Sequence, residues 1–415
     1  MRTYRFSAVV ALFVGATMSS AQTPNASAAA TGLSGAFTAR ARGYDAVAWN
    51  PANLGFRDNP DFSLAILAFH GSSGLDPISL NDFAPYSGKQ LPATQRETWL
   101  QAVANKGGEN GRVDGGITPL AVSMGPLAIQ VSASVAGSTK LSPDAFEAVM
   151  FGNAGRIGTS KDLNLAGSAF RVGAFTTAAA SYGIAFSESF SLGVTGKYIV
   201  GNALGMAEDQ GSTSTQNAVT VNFPMIYSHP DSDVVIGKGT GVDVGMAFKS
   251  GRMTFGATVQ NAFNNFKWDE TKLRSKSGTA LFDGTDNDAN FDDQPYTSAP
   301  ASLRAKVADD KFKPIVAAGI AYAIASSLTF SADVRQQLGE ALLLGPKTQA
   351  GAGFEFRGIP VLKLRGGASY ITDGWGVSAG VGLDLGMMQI GAGAALRTVN
   401  GGKEPVVTLN VLSFR

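Results

Sequence analysis

Cysteine is absent from this 415-residue sequence, and only two histidines occur. Disulfides, thiolate zinc sites and thiol catalysis are therefore excluded, and little material remains for histidine-based metal or acid–base chemistry. The formal net charge of +1, with 16% charged residues, lacks the basic excess typical of nucleic-acid-binding proteins. Glycine is abundant at 51 residues, and the hydrophobic content of 44% argues against disorder. Composition therefore predicts an all-β fold in which glycine lies where strands bend or crowd.

No apolar run is long enough for a membrane-spanning helix, which needs roughly 20 residues. After the N-terminus, the longest run extends from Ile315 to Ala325. At the N-terminus, two arginines precede an apolar stretch over residues 6–16 and the small residues 19–21, a pattern typical of a cleaved secretory signal. We predict a signal peptide over residues 1–21 and a mature chain that begins near Gln22. Such an exported chain can span a membrane only as a closed barrel, which leaves no backbone group unpaired in lipid.

The C-terminal part of the chain alternates between apolar and polar side chains with a period of two. From Trp375 to Leu385 every odd position is apolar, and every even position is glycine, serine or aspartate. Three further runs repeat the pattern, at residues 328–335, 362–370 and 388–397. A soluble β-sandwich would also alternate in this way. The small residues of the second face, and a strict alternation of long and very short connections, favour a membrane barrel with a polar lumen.

Strand counting predicts a closed, antiparallel transmembrane β-barrel of about fourteen strands over residues 59–415. An even number places both chain ends on one side, which we predict to be the periplasmic side of a bacterial outer membrane. The run Val219–Phe223 also alternates, but Pro224 follows it directly, so we place this run in an extracellular loop hairpin. The predicted strands are Phe62–Phe69, Ile117–Met124, Leu127–Val135, Ala169–Phe186, Phe190–Val200, Val242–Phe248, Met253–Phe263, Val316–Ile324, Leu328–Val334, Ala350–Phe356, Val361–Tyr370, Trp375–Leu385, Met388–Leu396 and Val406–Phe414. The predicted long loops are Gly71–Gly116, Ala136–Ser168, Gly201–Gly241 and Asn264–Pro314.

The stretch before the first strand, residues 22–58, is a candidate plug, because a barrel of this width is not filled by wall side chains alone. Local physics leaves two interpretations of its central motif: a helical turn that ends at an Asn-Pro break, or a hatch that occupies the lumen. The residues of the motif are Asp45, Asn50, Pro51, Ala52 and Gly55.

These five residues resemble the N-terminal hatch motif of the long-chain fatty acid transporter (FadL/TodX-type) barrels. Residues 78–83 and 141–153 are more similar to a related, uncharacterised set of bacterial outer-membrane barrels. The resemblance implies fourteen strands, a periplasmic N-terminal plug and passive movement of hydrophobic molecules. The sequence departs from the usual pattern at its end. The terminal aromatic is the penultimate Phe414, and Asn410 interrupts the apolar series that assembly machinery generally reads.

Two segments of the predicted extracellular loops have helical signals. Thr94 to Glu97 forms a capping box, and Ser142 with Pro143 supplies a cap and a first-turn proline. The apolar residues that follow form a candidate capture patch above the lumen. The competing interpretation, which we favour, is that the two helices pack on each other and close the top of the barrel. The patch consists of Trp99, Leu100, Val103, Phe146, Val149 and Met150.

Five charged residues fall on the polar face of predicted strands and should point into the lumen. We favour a network of paired charges that lines a plugged barrel. The functional alternative is a polar constriction that orients the head group of an amphipathic ligand. The five residues are Glu355, Lys363, Arg365, Asp384 and Arg397.

Neither a metal site nor a catalytic site is predicted. Residues 283–293 have the acid spacing of a calcium loop, but Phe291 replaces the turn glycine and no glutamate closes the loop; a solvated acidic loop is favoured. His70 has no accompanying nucleophile elbow or HExxH motif, so we interpret it as a girdle or rim histidine and expect no enzyme activity. No cofactor is expected.

Two hypotheses of function follow. In the first, a plugged outer-membrane barrel passes small hydrophobic molecules by diffusion. In the second, the barrel conducts nothing, and its extracellular loops bind protein partners in a structural or secretion-accessory role. The expected partners are outer-membrane lipid, the barrel-assembly machinery and a hydrophobic small molecule, without nucleic acid.

Overall fold

The computed structural model describes residues 26–154, 156–229, 234–283, 287–339 and 346–414, so the predicted signal peptide lies outside the described residues. Fourteen antiparallel strands pair in chain order, and the last pairs with the first, which closes the barrel as predicted. The strands are β1 (Phe62–Asp76), β2 (Glu109–Met124), β3 (Leu127–Leu141), β4 (Ala169–Ala185), β5 (Phe190–Glu208), β6 (Gly237–Ser250), β7 (Met253–Asn264), β8 (Ile315–Ala325), β9 (Leu328–Gln337), β10 (Thr348–Ile359), β11 (Leu362–Ile371), β12 (Gly374–Leu385), β13 (Met388–Val399) and β14 (Gly402–Phe414).

The two ends of the barrel differ. The long connections, such as residues 77–108 and 265–314, all lie at one end, here called the long-loop end. Turns of two to four residues join the strands at the opposite, short-turn end, where β1 begins and β14 ends. Both ends of the barrel sequence therefore lie on the same side.

The outer surface of the barrel is apolar because each strand alternates. In β12, Trp375, Val377 and Leu385 are exposed on the outside, and the glycines and serine between them face inward. The same face continues into β11, where Tyr370 lies directly opposite Trp375. This alternation is that of a membrane-spanning barrel wall. It confirms the predicted transmembrane fold.

The strands near the N-terminus extend further toward the long-loop end than predicted. β1 continues to Asp76 instead of ending at Phe69, and β5 reaches Glu208 instead of Val200. These extensions are rich in small residues and lack the apolar alternation from which strands are recognised. The predicted strict alternation of long and short connections is also wrong, because residues 372–373 and 400–401 form two-residue turns at the long-loop end.

An irregularity in β1 reverses the predicted orientation of His70. Leu67 has a positive φ of 58°, and it interrupts the pairing of β1 with β2 between Ile66 and Ala68. The register with both neighbouring strands is unchanged after Leu67, but the buried positions shift from Ser63 and Ala65 to Ala68. His70 therefore faces the lumen, among residues of the opposite wall, and the prediction of a girdle or rim histidine is wrong.

Most helices and a second sheet lie in the connections at the long-loop end. Val219–Asn222 pairs with Thr213–Ser214 in this five-stranded loop sheet, as predicted. The other strands of the loop sheet are Leu163–Asn164, Thr279–Phe282 and Asn287–Asn290. No helix in the described ranges is long and apolar enough to cross a membrane. The α-helices are α1 (Ala28–Gly32), α2 (Ala46–Trp49), α3 (Leu80–Phe83), α4 (Ala93–Lys106), α5 (Pro143–Phe151) and α6 (Ala301–Asp309).

Of the two predicted helix starts in the loops, one is confirmed and one is wrong. The Ser142 side chain accepts a hydrogen bond from Ala145 N and caps α5, with Pro143 in the first turn, as predicted. In α4 the helix already begins at Ala93, so Thr94 lies inside the helix and the predicted capping box does not form. Pro92 precedes the first turn, where its fixed backbone geometry suits a helix start.

Candidate functional site

Residues 26–57, here called the N-terminal segment, lie inside the barrel. Hydrogen bonds join the segment to inward side chains of strands on all sides of the wall. The bonds include Ala28 N to Asn410 Oδ1 (2.7 Å), Thr31 Oγ1 to Thr408 Oγ1 (2.7 Å), Ser34 Oγ to Ser378 Oγ (2.8 Å), Tyr44 N to Ser63 Oγ (2.9 Å), Gln260 Nε2 to Ala48 O (2.6 Å) and Ser191 Oγ to Ala52 O (2.6 Å). The segment thus lies within the lumen, in the half toward the short-turn end.

Helix α1 packs against a wall of inward-facing glycines in β10 to β13. A Cβ atom on Gly353 would lie 2.9 Å from Leu33 Cα, and one on Gly393 would lie 2.6 Å from Ala28 O. Gly32 and Gly380 approach each other equally closely, since a Cβ on either would lie within 3.0 Å of the other's Cα. Only glycine permits such close contact between backbones. The composition of this wall was visible in the sequence, but its role as a docking surface was not.

The predicted Asn-Pro-Ala motif packs against glycines of β4 to β7. Asn50 is fully buried; its Oδ1 accepts a hydrogen bond from Ala52 N (3.1 Å), and its Nδ2 donates to Met246 O (3.0 Å). The first bond caps the short 3-10 turn Pro51–Gly55, and the second ties the turn to β6. A Cβ on Gly193 would lie 2.3 Å from Ala52 N. The motif is therefore held tightly inside the wall.

The two remaining residues of the motif lie in the same region. Asp45 is buried at the end of the 3-10 turn Gly43–Asp45. Gly55 contacts β5, because a Cβ there would lie 2.3 Å from Ser191 Oγ. All five predicted residues thus lie inside the barrel, and Asn50, Ala52 and Gly55 contact the wall directly.

Asp333 of β9 anchors the middle of the segment, a role that the sequence did not reveal. Its Oδ2 accepts hydrogen bonds from Phe37 N (3.1 Å) and Thr38 N (2.7 Å). The carboxylate is buried and lies against Gly319, where a Cβ would be 2.0 Å from Oδ1. The only sequence signal was an aspartate on the polar face of a predicted strand.

The five predicted lumen charges all lie inside the barrel in ion pairs. Glu355 is 3% exposed and accepts from Arg365 Nε and Arg40 Nη2, each at 2.6 Å, and from Arg357 Nε at 2.5 Å. Arg40 belongs to the N-terminal segment, so this cluster joins the segment to the wall. The two other pairs are Lys363 with Asp384 (2.7 Å) and Arg397 with Glu404 (2.9 Å).

The loop helices α4 and α5 are packed together. Trp99, Leu100 and Val103 of α4 are buried in one cluster with Phe146 and Met150 of α5. Arg96 Nη1 also donates to Met150 O (2.7 Å). Val149 differs from the rest of the predicted patch, because it is 44% exposed. Five of the six residues therefore form the core of a loop subdomain and are not open to a ligand in this structure.

A second apolar cluster, not predicted, occupies the long-loop end beside β4 to β6. Phe175 of β4 packs against Phe266, Trp268 and Phe312 from the connection after β7. Asp310 at the end of this connection accepts a hydrogen bond from Trp268 Nε1 (3.1 Å) and pairs with Arg171 of β4. Burial raises the pKa of Asp310. This cluster holds the loop against the wall.

Cavities remain on the other side of the lumen. One of about 940 Å³ opens at the long-loop end beneath α6, between Arg112, Phe170 and Lys306. A smaller one, of about 90 Å³, lies deeper and is lined by His70, Arg335 and Arg397. On its remaining side, Ala30 and Trp49 of the N-terminal segment form the wall. The deeper cavity thus ends on the segment.

The acidic stretch 283–293 lies only partly within the described residues, which omit 284–286. Asn287–Asn290 forms an edge strand of the loop sheet and pairs with Thr279–Phe282. In the described part of the chain, no group of three or more histidine, aspartate or glutamate side chains is arranged to hold a metal ion.

Several solved structures share this architecture. The toluene transporter TbuX of Ralstonia pickettii aligns with a TM-score of 0.51 at 14% identity, over 94% of this chain and 98% of its own. The Pseudomonas putida toluene transporter TodX aligns with a TM-score of 0.55 at 12% identity, over 96% of this chain and 99% of its own. A Pseudomonas aeruginosa FadL homologue aligns with a TM-score of 0.54 at 12% identity, over 95% of this chain and 99% of its own. The chain has the FadL-type barrel fold. No protein-family model and no curated protein sequence matches it.

Proposed function

We propose that this chain is an outer-membrane channel that passes small hydrophobic molecules through a lumen closed by the N-terminal segment. The observation that carries the proposal is the deeper cavity of about 90 Å³, which ends on residues of the segment and is otherwise lined by the barrel strands and by Pro346 of the connection between β9 and β10. Movement of the segment would join this cavity to the short-turn end. The FadL-type fold supports the same function and an outer-membrane location, since TbuX and TodX are toluene transporters.

The way in which the segment is held is compatible with movement. Within the described residues, hydrogen bonds and close packing on glycine join the segment to the wall, beside ion pairs such as Arg40 with Glu355. Single hydrogen bonds of this kind contribute about 1 kcal/mol each to stability. A segment held by many small contributions can undock locally without unfolding the barrel.

The proposal is tested by locking the segment in place. Ser34 Oγ of the segment and Ser378 Oγ of β12 are 2.8 Å apart, so a Ser34→Cys, Ser378→Cys variant should form a disulfide. The chain has no cysteine of its own, so the engineered pair is the only thiol chemistry present. Entry of the hydrophobic dye 1-N-phenylnaphthylamine into proteoliposomes should be lost in the oxidised variant and restored by reductant.

The matched controls are the single variants Ser34→Cys and Ser378→Cys, each of which loses one hydroxyl of the same pair but cannot form an intramolecular disulfide. Oxidation should therefore not change dye entry through either single variant. Equal entry through the locked and unlocked forms of the double variant would overturn the proposal. Absence of entry in every form, including the wild type, would do the same.

The alternative, a non-conducting barrel whose loops bind protein partners, is favoured by one observation. The loop sheet ends in the edge strand Asn287–Asn290, next to Phe282 and Phe291, which are 42% and 51% exposed. Unpaired strand edges beside exposed apolar residues are sites where another chain can add a strand. This function gains support only if the dye experiment shows no entry in any form.

A further inference from the structure

The outer face of the barrel carries very little charge. In the described part of the chain, the alternation of the fourteen strands assigns an outward position to three charged residues. One of them, Glu109, is buried beneath the loop after β1, where it accepts a hydrogen bond from Ile78 N (3.2 Å). The other two, Lys238 of β6 and Lys403 of β14, are exposed lysines at the long-loop end. The exposed charges on the wall are therefore all positive and all at one rim.

Lys238 has a second lysine as its direct neighbour. The two-residue strand Lys267–Trp268 extends the wall beyond β7, and Lys267 is the cross-strand partner of Lys238. Both side chains are exposed, and neither has an ion pair or hydrogen bond within the described residues. Like charges directly opposite each other on a sheet repel. An external anion between them would remove this repulsion.

The Asp269 carboxylate is partly engaged within its own loop. Asp269 is close enough to interact with Lys238 and with Lys272, but its Oδ1 already accepts hydrogen bonds from the backbone N (3.1 Å) and the hydroxyl (2.6 Å) of Thr271. No ion pair between Asp269 and either lysine of the Lys238–Lys267 pair occurs within the described residues.

The lysine pair lies at the edge of the apolar belt. Lys238 and Phe248 are ten residues apart on β6, about 33 Å along the strand and about 25 Å along the barrel axis at the usual tilt. That height equals the apolar belt of an outer-membrane barrel, about 25 Å. Tyr198, which is 50% exposed, lies opposite Thr240 just below the pair, where an interfacial aromatic belongs. The two ammonium groups are thus at the level of lipid head groups.

We propose that Lys238 and Lys267 bind the phosphate groups of the anionic lipid in the leaflet at the long-loop end, which is lipopolysaccharide when the long loops face outward as predicted. Two cations on adjacent strands hold one phosphate between them, while Tyr198 and the apolar belt contact the acyl chains. The inference rests on the membrane-spanning fold and its orientation and is independent of transport.

The test measures lipid binding to the purified full-length barrel in detergent by native mass spectrometry, with lipid A and with lipid A lacking its phosphates as probes. The double variant Lys238→Gln, Lys267→Gln should lower lipid A binding about 10- to 30-fold, as expected for removal of two interfacial cations. Heat-modifiable migration on gels checks that the variant is folded.

Lys403 supplies the matched control, because it is an exposed, outward lysine at the same end whose cross-strand partner is Thr398. Lys403→Gln should change lipid A binding by no more than about 5-fold, since a single interfacial cation contributes about 1 kcal/mol. Equal losses in Lys403→Gln and in the double variant would overturn the proposal. So would undiminished binding by the double variant, or equal binding of the two probes to the wild type.

Discussion

Replacement of Asn410 by leucine should release the start of the N-terminal segment. Asn410 Oδ1 accepts a hydrogen bond from Ala28 N (2.7 Å), and its Nδ2 donates to Ala26 O (3.1 Å). Both alanines are buried, with 1% and 3% exposure. Leucine has a similar volume but bonds to neither group, so two buried backbone groups lose their partner.

The size of the effect follows from these two groups. An unsatisfied buried backbone group costs about 1–3 kcal/mol, so the loss of two partners should weaken docking of residues 26–34 by about 2–6 kcal/mol. Each 1.4 kcal/mol corresponds to a factor of ten in the equilibrium. Amide hydrogen exchange of this stretch, which proceeds through local undocking, should therefore accelerate at least about 30-fold.

Hydrogen exchange measured by mass spectrometry in detergent is the assay. Ser413→Ala is the matched control, because Ser413 lies on the same face of β14 but donates to Gln389 O of the wall (3.1 Å). It should leave exchange of residues 26–34 unchanged. Equal exchange rates in Asn410→Leu and Ser413→Ala would refute the reasoning, since the segment would then not depend on this clamp.

Two further predictions concern charged anchors. Glu355→Gln leaves three arginines inside the barrel without their carboxylate, so the free energy of unfolding should fall by about 3–5 kcal/mol. The control Asp384→Asn removes the more exposed partner of Lys363 and should lower the free energy of unfolding by under about 1 kcal/mol. Equal losses in Tm for the two variants would contradict this prediction. Burial alone raises the pKa of Asp58, but Arg42 and Lys249 outweigh it and hold that pKa below its usual range. A carboxyl group whose pKa is lower in the folded state stabilises the fold at pH values above its unfolded-state pKa. This stabilisation is lost as the pH falls through the folded-state pKa. The Tm difference between wild type and Asp58→Asn should therefore be small and positive at neutral pH and vanish in acid; a difference that grows in acid would refute the assignment.

The barrel wall was predictable because its signal is local. Outward residues between Trp375 and Leu385 recur with a period of two, and that period depends only on strand geometry and an apolar exterior. Where the outer face need not be apolar, as in the extension of β1 to Asp76, the sequence no longer alternates and the strand cannot be recognised from it. The inversion at His70 was hidden for a related reason, since a single irregular residue, Leu67, reverses the alternation without changing composition.

The interior was less predictable, because it depends on contacts between distant residues. Asp333 and Thr38 are 295 residues apart in the chain, and nothing local to either indicates the pair. The glycines that pack against α1 have no side chain, so their chemistry could not indicate what they contact. Arg40 was overlooked because its position in a small-residue stretch gave no reason to pair it with Glu355. Asn410 alone gave a hint, since a polar residue interrupted an otherwise apolar end.

The hydrogen bonds of Asn410 to the N-terminal segment bear on how closure of the lumen can be measured separately from stability of the wall. The N-terminal segment bonds to β14 through Asn410 and Thr408 and to β1 through Ser63, and these are the two strands whose pairing closes the barrel. Deletion of the segment would therefore open the lumen and remove contacts on both sides of the closing seam at once. An increase in dye entry after deletion could come from either change. The disulfide between positions 34 and 378 leaves every seam contact in place, so its effect on dye entry reports on movement of the segment alone.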